Sequence, residues 1–128
     1  MSKLNITERR NGDVLILDLE GNIILGEGSR ELRQAIRDLL QLGEKKILLN
    51  LEDVFYIDSS GLGELVATHI ALQKNDGECR LVHLSPKVNE LMVLTKLLTV
   101  FDVYDNESEA VESFNNPKVK TALPSIFV

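Results

Sequence analysis

Apolar positions along the 128-residue chain change period from segment to segment, and each change marks an element. Residues 4–8 and 14–19, "LNITE" and "VLILDL", read as two short strands. Between them, Asn11-Gly12 accepts the positive φ of a tight hairpin turn. After the glycine-bearing loop "GNIILGEGS" (21–29), Leu32, Ile36, Leu39 and Leu40 recur at i, i+4, i+7 and i+8. That spacing predicts a helix with one apolar face, capped by Ser29 and stopped by Gly43. "KKILLNL" (45–51) is apolar on both sides of the chain, the pattern of a central strand covered on each face. Leu62, Leu65, Val66, His69 and Leu72 then predict a second helix running to about Lys74.

"CRLVHL" (79–84) reads as a fourth strand. "SPKVNELMVLTKLL" (85–98) predicts a third helix, with Ser85 as cap and Pro86 at the first helical position, where a missing N–H costs nothing. "VFDVYD" (100–105) is a short fifth strand and "ESEAVESF" (107–114) a final short helix. The domain is therefore expected over residues 1–114, with 115–128, "NNPKVKTALPSIFV", as a tail carrying two prolines and no period. Strands alternating with helices pair in parallel through right-handed crossovers. The fold class is α/β: a small domain with a mixed central sheet of about four to five strands and about four helices.

Composition narrows the function. Hydrophobic content of 44% with 27% charged residues is that of a soluble globular domain, and the apolar runs are too short to cross a bilayer. The N-terminal "MSKLNITERRNGD" lacks the apolar core and cleavage site of a secretory signal, so a cytoplasmic location is expected. A net charge of −6 works against unassisted binding to nucleic acid or anionic membrane and leaves proteins as the expected partners. One cysteine, Cys79, and two histidines, His69 and His83, do not make a clustered ligand set, so neither metal nor cofactor is expected. The leucines and Met92 of the third helix spread beyond one narrow stripe; core packing accounts for most of them, and the surplus is where a partner or a weakly bound second copy would sit.

Chemistry concentrates in "YIDSSGLG" (56–63), between an apolar strand and an apolar-periodic helix. Asp and Ser are ordinary helix caps, and capping alone accounts for this turn. In parallel sheets, however, ligand chemistry gathers at the carboxyl ends of the strands, where helix N-termini offer free N–H groups and a positive dipole end. A phosphoserine at Ser59 or Ser60 is stabilised in that setting, and the spacing alone does not choose between them. "GEGS" (26–29) matches no phosphate-cradling fingerprint and reads as a turn and cap. His69 lies about ten residues from the serines, roughly 15 Å along a helix, which excludes a Ser-His catalytic pair there. No Gly-x-Ser-x-Gly elbow is present, and His83 is linked to the serines by no motif.

"NLEDVFYIDSSGLGEL" (50–65), preceded by an apolar strand and followed by "GECRLVHLSPKVNELMVLTKLLTVFDVYDNESEAV" (77–111), resembles the STAS domain of bacterial anti-sigma-factor antagonists over roughly residues 4–114. The resemblance implies a STAS-like fold and a partner-switching module without catalysis of its own. It implies phosphorylation at Ser59, the serine directly after the aspartate, with Ser60 as the weaker candidate. The kinase is implied to be the anti-sigma factor itself, and a serine phosphatase reverses the mark. Unphosphorylated, the module binds the kinase and so releases a sigma factor. Asp58, Ser59, Ser60, Gly61 and Glu27 are the expected partner-binding residues, Gly61 by permitting close backbone approach, while Leu62 is expected in the core. The alternative is a STAS scaffold or accessory subunit of a larger signalling or transport complex. One position departs from the pattern: similar antagonists usually place an Asp shortly after the glycine that ends the second strand, and here that place holds Ile24, with Asn22 and Glu27 as the nearby polar residues.

Overall fold

The computed structural model describes residues 4–115, so the tail expected over 115–128 lies outside the described residues beyond Asn115. Its elements run β1 (Leu4–Asn11), β2 (Val14–Ile23), α1 (Glu27–Gln41), β3 (Lys46–Ile57), α2 (Ser59–Lys74), β4 (Glu78–Val82), α3 (Pro86–Leu94), a 3₁₀ turn (Leu97–Thr99), β5 (Val103–Tyr104) and α4 (Glu107–Asn115). The five strands form one sheet in sequence order, β1 antiparallel to β2 and every later pair parallel. This is the mixed sheet with four helices that the pattern predicts.

Alternation along the strands divides the sheet into two faces. Leu17, Leu19, Leu49 and Leu81 pack with Leu32 and Ile36 of α1, Leu62 and Leu65 of α2, and Val88 and Met92 of α3. Val14, Ile16, Leu48 and Val82 meet Ala110 and Phe114 of α4 on the other side. The central strands are thus apolar on both faces because each face is covered there. Arg80 enters the second layer almost wholly buried, at 1% exposure. Its guanidinium sits 4.3 Å from the centre of the Phe114 ring and 2.8 Å from a Glu78 carboxylate oxygen, and it donates to the Ser113 carbonyl at 3.4 Å.

Three local expectations are corrected. Ser29 does not cap α1: the helix begins at Glu27 behind Gly26 (φ 102°), and the buried Ser29 hydroxyl instead donates to the Ile24 carbonyl at 2.9 Å. The start is set by packing, since a Cβ at Gly28 would come within 2.3 Å of the Asn22 carbonyl oxygen. The third helix stops at Leu94, not Leu98. Thr95 bonds back to the Leu91 carbonyl, Lys96 turns left-handed (φ 63°), and Leu97 and Leu98 fold back against the core. Residues 21–23 belong to β2 rather than to the loop after it, and β3 reaches Ile57.

That extension of β3 carries two bulges. Asp18 pairs with Asn50 but Glu20 with Asp53; Gly21 pairs with Val54 but Asn22 with Tyr56. Each slip adds one residue to β3, so Leu51, Val54 and Ile57 stay buried while two consecutive residues between them are exposed each time.

Candidate functional site at the start of α2

β2 and β3 run parallel, so α1 and α2 both begin at the carboxyl end of the sheet. Asp58, in extended conformation (φ −109°, ψ −172°), is the residue where β3 hands over to α2. Its carboxylate is used twice. One oxygen accepts from the Gly61 N–H at 2.9 Å, the N-cap bond, and the other accepts from the Leu25 N–H at 3.1 Å. Asp58 therefore ties the start of α2 to the loop between β2 and α1. Desolvation alone would push this carboxyl up, yet the N–H donors of Gly61, Leu25 and Ser60 outweigh it and hold the pKa below the ordinary aspartate value.

Ser59 and Ser60 occupy the first two positions of α2. Ser59 is exposed and Ser60 half-buried. Gly61 answers a requirement inside the domain: a Cβ there would lie 2.0 Å from the Ile23 carbonyl oxygen and 2.6 Å from Ile57 Cγ1. The close approach it permits within the domain is between α2 and the end of β2. Leu62 is buried, as expected, whereas Gly63 faces open space. Glu27 is exposed and opens α1 two residues beyond the Leu25 tie. Ile24 is half-buried, with its carbonyl taken by the Ser29 N–H and hydroxyl, and Asn22 sits in β2 opposite Tyr56.

The structure thus gathers Asp58, Ser59, Ser60 and Gly61 at one helix start, with Glu27 on the neighbouring helix. It keeps the histidines elsewhere. His69 packs edge-on against Phe101 with ring centres 5.4 Å apart, and His83 follows β4 with a left-handed φ of 57°. Among the described residues, no group of three His, Cys, Asp or Glu side chains is arranged to hold a metal, and no helix is long and apolar enough to cross a membrane. Exposed Leu25, Phe55 and Tyr56 near this end escaped the sequence reading, whereas the apolar surplus expected on the third helix is present as exposed Leu94, with Val93 beside it. The signal for Phe55 and Tyr56 was the three-residue spacing of Leu51, Val54 and Ile57, which a plain strand does not show.

The STAS domain family model matches residues 5–110. The chain belongs to the STAS domain family. An anti-sigma-B factor antagonist of Staphylococcus aureus is 38% identical over 82 residues, 64% of this chain and 74% of the relative. A candidate anti-sigma factor antagonist of Thermotoga maritima, solved by crystallography, is 30% identical with a TM-score of 0.71, covering 87% of this chain and 95% of its own. Within the family this STAS domain groups with the anti-sigma factor antagonists. The Bacillus cell fate determinant SpoIIAA in its phosphorylated form shares the fold at 20% identity, with a TM-score of 0.65 over 84% of this chain and 97% of its own.

Proposed function

We propose that this STAS domain is a cytoplasmic anti-sigma factor antagonist switched by phosphorylation of Ser59. Unphosphorylated, it binds an anti-sigma factor that is also a serine kinase and so frees a sigma factor; phosphorylated, it lets go until a serine phosphatase restores it. The domain contributes no catalysis of its own. The observation that carries this reading is the exposed Ser59 at the first position of α2, beside an aspartate whose carboxylate is already committed to Gly61 and Leu25. A phosphoryl group there adds about −1.5 to −2 charges at neutral pH. The helix N-terminus stabilises that charge in the free domain, while a partner closing over the site has to desolvate it. A penalty of a few kcal/mol, roughly a hundredfold in affinity, is enough for a switch. The anti-sigma-B factor antagonist among its relatives and the phosphorylated form known for a structural neighbour support the same reading.

The test is incubation of the purified chain with ATP and the serine kinase that co-purifies with it, followed by intact mass and site mapping. One phosphoryl increment, absent in Ser59→Ala, is expected. Ser59→Asp should bind the kinase far more weakly than Ser59→Ala. No increment, or one that persists in Ser59→Ala, refutes the switch. A transporter or multimeric signalling assembly as the partner, in place of a kinase, would favour the scaffold reading.

A further inference from the structure

The sheet face opposite α1, α2 and α3 is covered by α4 over Val14, Ile16, Leu48 and Val82. Farther toward the carboxyl ends of β2 and β3 the same face is open. The two bulges crowd it: Glu52 and Asp53 come together from the first, Phe55 and Tyr56 from the second, all four exposed. Phe55 is 64% and Tyr56 50% exposed, an unusual investment of aromatic surface in a chain with 5% aromatic residues. Register sets Glu20 beside Asp53 and Asn22 beside Tyr56. Residues 18–24 and 50–58 contain no Lys or Arg, so these stretches of β2 and β3 give the aromatic pair an acidic rim and no cation. β4 pairs with β3 only as far as Asn50, which leaves the outer edge of β3 beyond that point without a strand partner among the described residues.

We infer that this bulged, acid-rimmed aromatic face docks a basic segment of another protein, one that sets apolar side chains between lysines or arginines. Aromatic faces attract cations through the ring quadrupole, and the carboxylates of Glu20, Glu52 and Asp53 complement the same charges. Phe and Tyr supply contact area at low entropy cost, and bulges commonly re-aim side chains toward a site. A second copy of this chain fits poorly. Two-fold pairing of this face would set its acidic rim against itself in a molecule of net charge −6. Nucleic acid and anionic lipid are repelled for the same reason. The face lies across the sheet from α2, so the inference goes beyond the Ser59 switch and does not depend on it.

The test is a titration of the isotope-labelled full chain, followed by amide shifts, with a short peptide alternating lysine and leucine. A glutamate–leucine peptide of equal length serves as control. Saturable binding of the lysine peptide, with the largest shifts in residues 20–22 and 52–56, is expected. Affinity should fall about tenfold in Phe55→Ser/Tyr56→Ser, whose remaining amide spectrum reports an intact fold, and severalfold in Glu52→Gln/Asp53→Asn or at high salt. Four results overturn the inference. The glutamate peptide binds equally well; the shifts centre instead on the groove between α1 and α2 that Arg33 and Arg37 line; or the free chain self-associates in a manner abolished by the double aromatic variant. The fourth is that truncation after Asn115 alone reproduces the shifts, which would make the occupant this chain's own remaining residues.

Discussion

Gly61 and Gly63 stand two residues apart in one helix, and alanine substitution should move stability in opposite directions. At Gly61 the added Cβ would lie 2.0 Å from the Ile23 carbonyl oxygen and 2.9 Å from its carbon, where tight contact ends near 3.4 Å. Relief requires α2 to retreat by 3.4 − 2.0, or about 1.4 Å, because the obstacle is backbone and does not swing aside. A retreat of that size also breaks the 2.9 Å bond from the Gly61 N–H to Asp58. Overpacking at about 3 kcal/mol and the lost cap at about 1 kcal/mol outweigh the roughly 1 kcal/mol that alanine returns through helix propensity. Gly61→Ala should therefore lose about 3 kcal/mol net. At Gly63 nothing lies within 4 Å, so only the propensity acts and Gly63→Ala should gain up to about 1 kcal/mol. Urea denaturation of both variants, read at constant m-value, measures the difference. Equal effects at the two positions, or a Gly61→Ala variant within about 0.5 kcal/mol of the parent, would refute the close packing of α2 on β2.

Asp58→Ala should cost about 2 kcal/mol, from the lost N-cap and the lost tie to Leu25, and should speed amide exchange at Leu25 as well as Gly61; unchanged exchange at Leu25 would contradict the tie. Hydrogen bonds from Arg9 hold the Asp18 and Glu107 carboxyls below their ordinary pKa, and backbone donors do the same for Asp58. Depressed folded pKa values stabilise above the unfolded pKa, and that contribution is lost as pH falls through the folded values. The urea midpoint should thus hold from neutrality to about pH 5 and fall below about pH 4, less steeply in Asp18→Asn/Glu107→Gln. A parent midpoint that stays constant into strong acid would oppose this. Arg80→Ala should lose about 2–4 kcal/mol and loosen α4, while Arg80→Met recovers most of it because Glu78 remains partly in water. Equal losses in the two Arg80 variants, measured by thermal unfolding and exchange in residues 107–115, would point away from packing.

Element types were legible in this sequence wherever one period ran long enough to exclude the other. The four-residue returns of Leu32, Ile36 and Leu40 allow only a helix, and "KILLNL" read as a doubly covered strand because α4 exists to cover it. Ser85 and Pro86 mark a helix start correctly because that cap is local, bonding to Val88 three residues on. Ser29 fails for the opposite reason. The start of α1 is fixed by Gly28 fitting beneath the Asn22 carbonyl, a contact between elements that a cap search does not see. The Asp58 cap was legible in the same local way, whereas its second bond reaches Leu25, 33 residues back, and needed the fold. Gly61 could be flagged as a glycine under demand, but what demanded it, the end of β2, depends on strand register.

Ile24 bears on how the proposed switch would work. A carboxylate at that place would repel a phosphoryl group on Ser59 by about 1 kcal/mol per charge at separations near 7 Å and an effective dielectric of about 40. Here the loop offers no such charge: Ile24 is half-buried and Leu25 is 77% exposed. The carboxylate adjacent in sequence, on Asp58, accepts two backbone N–H groups and is held ionised by them, and Glu27 is exposed to water and screened. The free phosphorylated domain therefore meets repulsion from the ionised Asp58 but from no carboxylate at position 24, while the helix N-terminus favours the added charge. On the partner side the balance reverses. A surface that packs on Leu25 and Ile24 has to be apolar there, and closing it over a phosphoryl group strips water from up to two charges. In this chain the switch would expel its partner by desolvation rather than by opposing carboxylates, so its discrimination should persist at salt concentrations that screen a purely Coulombic one.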